Sequence, residues 1–173
     1  MSNPKVLWFT GLSGAGKSTI AKALSEALIE SGHKVSILDG DALRQSISHD
    51  LGFSDEDRVE QMRRVIDLAK SQLDEGAFVI TALISPFKTM RDLARQTIGQ
   101  DHFIEVYVNT PLDVCEKRDT KGLYKKARLG LIEQMTGIDS VYEAPTNPEV
   151  TIDSSQETID QSVLKILKFI NNK

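Results

Sequence analysis

Apolar positions switch between two spacings along this chain. Mainly apolar runs at 6–9, 77–84 and 103–108, the last two interrupted by Thr81 and Glu105, alternate with segments whose apolar residues recur every three or four positions. The first spacing predicts strands buried on both faces, and the second predicts amphipathic helices. Ile20, Leu24, Ala27 and Leu28 mark the first helix, closed by the Ser31-Gly32-His33 turn. A second strand is expected at 35–39, then a short helix from Ala42 to about His49 and a break at 51–54. Ser54 suits an N-cap for a helix that places Val59, Met62, Ile66, Ala69 and Leu73 on one face and ends at Glu75-Gly76. Ser85-Pro86 ends the third strand, and a helix follows through Met90, Leu93 and Ala94. Pro111, past the fourth strand, opens a helix at its favoured first-turn position that runs to about Arg118. The last strand is expected at 150–153. Ser154 with Glu157 reads as a capping box before a closing helix marked by Ile159, Val163, Ile166, Leu167 and Ile170.

Strands alternating with helices imply parallel crossovers, hence an α/β fold with a doubly wound, five-stranded parallel sheet and helices on both faces. Sites in such sheets gather at the carboxyl ends of the strands. Gly11, Asp39 to Asp41, Ser85 to Phe87 and Asn109 are therefore expected around one crevice. Residues 119–147 break the pattern: Lys121, Lys125, Lys126 and Arg128 interleave with Gly122, Gly130, Gly137 and Pro145. A helix over 125–134 is the only regular piece expected in this stretch, which reads as a mobile lid on a single domain spanning 1–173.

Chemistry enters where the first strand stops. Gly11, Leu12, Ser13, Gly14, Ala15, Gly16, Lys17, Ser18 and Thr19 spell G-x-x-x-x-G-K-S between a strand and a helix. Glycines let backbone N–H groups turn inward as an anion cradle. Lys17 reaches β and γ phosphates, the Ser18 hydroxyl is placed to ligate Mg²⁺, and the following helix adds its positive end. The chain is read as binding a nucleoside triphosphate, on a P-loop kinase fold.

Composition narrows the rest. A net charge of −4 argues against a general nucleic-acid binder but permits a local basic pocket. Cys115 is the single cysteine, so no intrachain disulfide exists, and it reads as a packed thiol. His33, His49 and His102 lack metal-ligand spacing. Neither a signal peptide nor a membrane-length apolar run is seen, which leads to an expectation of a cytoplasmic protein without a membrane partner.

Phosphoryl transfer needs positioned phosphates, neutralised charge and a nucleophile in line. Asp39 or Asp41, at the end of the second strand, suits a water-mediated metal contact or acceptance of a proton, and either one also suits helix capping. Arg44 and Arg58 flank Phe53, an arrangement fit for an anionic acceptor bearing a ring. Arg118 and Lys121 suit the nucleotide or closure over it. The N-K-x-D segment of guanine-specific switches is absent, which favours a small-molecule kinase.

These motifs, with Leu38-Asp-Gly-Asp41, Asp50-Leu-Gly-Phe-Ser-Asp-Glu-Asp-Arg58, Ile84-Ser-Pro-Phe87, 121–128, 136–139 and Tyr142-Glu-Ala-Pro145, resemble the adenylylsulfate kinase family in order over nearly the whole chain. The resemblance implies transfer of the ATP γ-phosphoryl group to the ribose 3′-hydroxyl of adenylyl sulfate, in sulfate assimilation, with Mg²⁺ and as a homodimer. It implies Asp41 as base or hydroxyl-orienting residue, Lys17 and Lys121 as catalytic, and Arg118 beside the ATP adenine. It places the acceptor against Arg44, Phe53, Arg58, Gln61, Ile84, Ser85, Pro86, Gly122, Leu123 and Met135. Ser85 matches a serine sometimes described in the family as a phosphoenzyme nucleophile; direct in-line attack needs no such step. This chain departs from the family at Gln61, where Asn is usual, at Met135, where a base-stacking Phe is usual, and at Phe87-Lys88-Thr89. These departures define one alternative, a related kinase acting on another nucleotide 3′-hydroxyl, such as cytidine diphosphoramidate; a second, from a different class, is a catalytically silent nucleotide-binding subunit.

Overall fold

The computed structural model describes residues 3–172. Its strands are β1 (Val6–Thr10), β2 (Val35–Asp39), β3 (Phe78–Ala82), β4 (Phe103–Val108) and β5 (Val150–Ile152). They form one sheet of order β2-β3-β1-β4-β5, and every pairing is parallel. The crossovers carry helices α1 (Lys17–Glu30), α2 (Gly40–Gln45), α3 (Asp55–Asp74), α4 (Lys88–Ile98), α5 (Leu112–Arg118), α6 (Leu123–Arg128) and α7 (Ile159–Asn171).

The unbroken apolar run of β1 is explained by burial on two faces. Leu7 and Phe9 enter one core with Ile20, Leu24 and Ile166. Val6 and Trp8, pointing the other way, enter a second core with Met62, Ile66 and Ala94. Phe9, Phe78 and Phe103 are at most 1% exposed, and each such side chain contributes about 1.5–3 kcal/mol relative to exposure. β1 lies between β3 and β4, where the strand order reverses, and a crevice is expected beyond the carboxyl ends at such a switch point.

Several boundaries differ from expectation, each for a local reason. β3 stops at Ala82 rather than Ile84 because the Ile84 carbonyl leaves the ladder to accept from Gly11 N and Thr10 Oγ1. α2 ends at Gln45, short of His49, in a turn closed by Ser46 N–H on Leu43 O. Pro111 caps α5 instead of occupying its first turn. Within residues 119–147, α6 starts earlier than expected and ends at Arg128. Gly130 N–H bonds Ala127 O, Leu131 N–H bonds Lys126 O, and Gly130 takes φ +68°, a glycine C-terminal stop. Val59, Leu93 and Ile159 are exposed, whereas Val65, not counted on the apolar face of α3, is fully buried.

The capping box is also elsewhere. Thr158 and Gln161 exchange the reciprocal bonds that start α7. Asp153 instead organises a turn, its Oδ1 accepting from Ser155 N and Oγ and its carbonyl from the amides of Gln156 and Glu157. Ser154 is thereby released to face the site.

Candidate active site

The loop after β1 is fixed by backbone geometry. Gly11 has φ +148°, and a Cβ there would sit 2.5 Å from Val108 O, so a side chain is excluded. Gly16, at φ +103°, starts α1 without any side-chain cap. The first amides of this 14-residue helix are therefore left for an anion. Lys17 lies over the loop, donating to Gly11 O at 2.9 Å and Leu12 O at 2.8 Å. It is 8% exposed, and burial lowers its pKa to about 8. Ser18 Oγ donates to Asp39 Oδ2 at 2.7 Å, while Asp39 Oδ1 caps α2 through Asp41 N. Capping thus falls to Asp39, and Asp41 is free for another role. Its carboxylate pairs with Lys121 Nζ, reaching across from the lid.

A cavity of about 670 Å³ joins these groups. One wall carries Arg44, Phe53 and Arg58. The Arg44 guanidinium lies 4.3 Å from the Phe53 ring centroid, and Arg44 Nη1 donates to Gly52 O. Burial and then the neighbouring Arg58 lower Arg44 from its ordinary pKa; two guanidinium groups this close favour an anionic ligand. Arg64 ties the loop bearing Phe53 to α3, forking onto Asp50 and bonding Ile47 O. That fork first, through its hydrogen bonds, holds the Asp50 carboxyl down at about 2.

Arg58 is 9% exposed and grips the lid, donating to Thr136 Oγ1, Ser140 Oγ and Gln134 O. Gln61, 4% exposed, lines the cavity, and its Nε2 has no hydrogen-bond partner among the described residues. A buried amide without a partner costs about 1–3 kcal/mol, so this donor is poised for a ligand.

Ser85 forms the cavity floor at φ +47°, a strained value for a residue with a side chain. Three groups hold it. Trp8 Nε1 donates to its hydroxyl at 3.0 Å, and its carbonyl accepts from Arg91 Nη1 and Thr10 Oγ1. Arg91 itself is 3% exposed, paired with Glu105, and it also reaches Glu143 O. Glu143 in turn bonds Pro86 O and Lys88 N. No basic group is seated on Ser85 Oγ; its partner is an indole donor, which serves orientation rather than activation.

The adenylylsulphate kinase family profile matches residues 3–153. The chain belongs to this family. It is 54% identical to the adenylyl-sulfate kinase of Pseudomonas aeruginosa over 167 residues, which cover 96% of this chain and 85% of that one. The corresponding protein of Vibrio cholerae is 53% identical, over 95% of this chain and 77% of its own. The structure of the Mycobacterium tuberculosis APS kinase in complex with AMPPNP and APS superposes with a TM-score of 0.93 at 42% identity, covering 99% of both chains.

Within this family member, the cavity brings together Ser13, Gly14, Gly16, Lys17, Ser18, Thr19, Asp41, Arg44, Phe53, Arg58, Gln61, Ile84, Ser85, Pro86, Arg118, Lys121 and Leu123, all anticipated from sequence. Gly11, Leu12 and Ala15 support the loop from behind. Gly122 is the left-handed residue that starts α6. Met135 does not line the cavity; it is 7% exposed and packs into the core beneath, so its side chain forms no slot for a base here. Asn109 likewise turns away, its amide N bonding Ile152 O and its Oδ1 accepting from Tyr107. Cys115 is buried, and burial pushes its thiol pKa up, as a packed thiol requires. Thr120, Thr136, Ser154 and Glu157 line the cavity without having been foreseen. Thr136 lay inside a recognised motif, and Ser154 was hidden by its resemblance to a cap.

Proposed function

We propose that this chain transfers the γ-phosphoryl group of ATP to the ribose 3′-hydroxyl of adenylyl sulfate, giving 3′-phosphoadenylyl sulfate and ADP. The observation that carries this reading is one continuous cavity joining the phosphate loop, the Asp41–Lys121 pair and the Arg44–Phe53–Arg58 wall. In this scheme the cradle and Lys17 hold the ATP phosphates. The acceptor's phosphosulfate lies against Arg44 and Arg58, and its ring against Phe53. Asp41 takes the proton of the attacking hydroxyl. The new bond joins the 3′-oxygen to phosphorus as the β,γ-bridging bond breaks, with ADP as leaving group. Lys121 leaves Asp41 for the transferring phosphoryl group, which neutralises its charge and exposes the base in one movement of the lid, residues 119–147 of a single domain. Gln61 Nε2 donates to the acceptor, and Ser85 positions it without a covalent step.

Magnesium fits the donor set. Ser18 Oγ and Asp39 Oδ2 place two hard oxygens side by side next to the cradle, and Mg²⁺ takes few protein ligands when phosphates supply the others. These residues would hold it, and it would supply charge neutralisation at the β and γ phosphates. Arg118 would lie beside the nucleotide base. A cytoplasmic homodimer acting in sulfate assimilation completes the reading, and sedimentation velocity checks its assembly.

The test is ATP consumption by purified protein with Mg²⁺ and adenylyl sulfate, set against other nucleotides including cytidine diphosphoramidate. Fast turnover confined to adenylyl sulfate is expected. A faster reaction on another acceptor would assign Gln61 to a changed specificity, and no turnover on any acceptor would leave a nucleotide-binding subunit.

A further inference from the structure

The outer side of the phosphate loop is held by Thr110, Ser154 and Arg118, of which the transfer scheme uses only Arg118. Thr110 Oγ1 and Ser154 Oγ lie 3.0 and 2.6 Å from Ala15 O, and 2.9 Å from one another. Arg118 Nη1 donates to Ser154 Oγ at 2.7 Å and to Gly14 O at 3.2 Å, and Arg118 Nη2 bonds Ser154 O at 2.9 Å. Ser154 and Thr110 have one hydroxyl proton each, and Ala15 O can accept only. Both hydroxyls therefore donate to Ala15 O, and Ser154 Oγ accepts from Arg118 Nη1.

What this does to the loop follows from the peptide plane. In a trans peptide the C=O and the next N–H point in opposite directions. Fixing Ala15 O toward Ser154 therefore aims Gly16 N–H the other way, into the anion cradle. Gly16 itself is packed against the cluster: a Cβ added there would lie 3.3 Å from Ser154 Oγ. With φ +103°, Gly16 has little steric preference of its own to hold that direction. We propose that Ser154, seconded by Thr110 and Arg118, is a positioning residue that clamps Ala15 O and so aims the Gly16 amide at the donor phosphates. Ser154 lies on the turn after β5 and Arg118 at the end of α5, so the clamp also couples the nucleotide-facing arginine to the cradle.

The inference rests on the reading of this cavity as the ATP site, and the experiment separates the two. Calorimetric titration with AMPPNP and Mg²⁺ comes first, on wild type, Ser154→Ala, Thr110→Val and Thr110→Ser, followed by steady-state kinetics. Ser154→Ala is expected to bind AMPPNP about tenfold more weakly. It should raise the KM for ATP with the acceptor KM unchanged and with the melting temperature of the ligand-free protein retained. Thr110→Val, which keeps the shape and loses the hydroxyl, should weaken binding severalfold, and Thr110→Ser should restore it. Wild-type affinity in Ser154→Ala would overturn the clamp while leaving the ATP site standing. Should Ser154→Ala not fold, equal affinities in Thr110→Val and Thr110→Ser would overturn it instead. A wild-type chain that binds no AMPPNP would overturn the functional reading, and the clamp with it.

Discussion

The two halves of the cavity are built to different standards. On the donor side Thr10, Ala15 and Lys17 are buried, the loop carbonyls are engaged and the glycines stand at angles that only glycine tolerates. On the acceptor side the side chains of Asp41 and Lys121 are 61% and 50% exposed, and Phe53 is 63% exposed. The difference follows from what each half must recognise. A triphosphate is gripped by backbone amides, whose directions are either fixed in advance or useless, so preorganisation is favoured. On the acceptor side Arg58, Gln61 and Ser85 are already buried in place, whereas the exposed Asp41, Lys121 and Phe53 can be gathered by the ligand itself. On the proposed scheme the Asp41–Lys121 pair is the acceptor half waiting, the two groups satisfying one another until a phosphoryl group competes for the lysine. Exposed pairs of this kind are worth about 0–1 kcal/mol, little enough for a ligand to break.

That contrast is sharpened by substitutions whose effects should divide between halves. Asp41→Asn removes the proton acceptor and is expected to lower kcat about a thousandfold while leaving AMPPNP affinity intact; single-turnover rates and calorimetry check it. Lys121→Ala should lower kcat about a hundredfold, again with little change in ATP affinity, because the contact is made in the transition state. If Lys121→Ala weakened ATP binding as much as turnover, the lid would belong to the donor half and the division would be wrong. Phe53→Ala should raise the KM for adenylyl sulfate about tenfold through lost ring stacking, with the KM for ATP unchanged. A shift in the ATP value alone would move Phe53 to the other half.

The same division governs what the sequence revealed. The donor loop was legible residue by residue, because its function demands fixed residue types at fixed spacing next to a strand and a helix. The sheet was legible because two-sided burial leaves unbroken apolar runs, as in β1. Asp41, Arg44, Phe53, Arg58 and Lys121 were legible as types but not as geometry; that Asp39 caps the helix and frees Asp41 appears only when Ser18 and α2 are in place. Arg91 left no signal, since a lone arginine in a helix usually faces water, yet here it is buried and holds Ser85 O. Ser154 misled, because a serine three positions before a glutamate looks the same whether it caps a helix or clamps a loop. Met135 misled for the complementary reason: its place in a motif said nothing of which way the side chain turns, and it turns into the core.

The smallest expected effect concerns Lys17 and tests how dry the donor half is before nucleotide arrives. Burial is the main cause of its lowered pKa of about 8, and Lys121 lowers it further, against the raising influence of Cys115, Asp39 and Asp41. In the ligand-free protein the charged form is therefore penalised, so this group costs stability below pH 8, and the cost is relieved as pH climbs toward its ordinary value of 10.5. Bound phosphates reverse the preference by pairing with the ammonium, which raises the pKa in the complex. Nucleotide binding must then draw in a proton wherever the pH lies between the free and bound values. At about pH 9 AMPPNP binding should take up nearly one proton that is not taken up at about pH 6.5, where Lys17 is already charged. Calorimetry in two buffers of different ionisation enthalpy measures this uptake directly. Affinity should fall above pH 8 by up to tenfold per pH unit, the slope of a single proton. Equal uptake at both pH values would mean that Lys17 is charged throughout and that water reaches it in the free protein. The donor half would then be assembled by its ligand, like the acceptor half across the cavity.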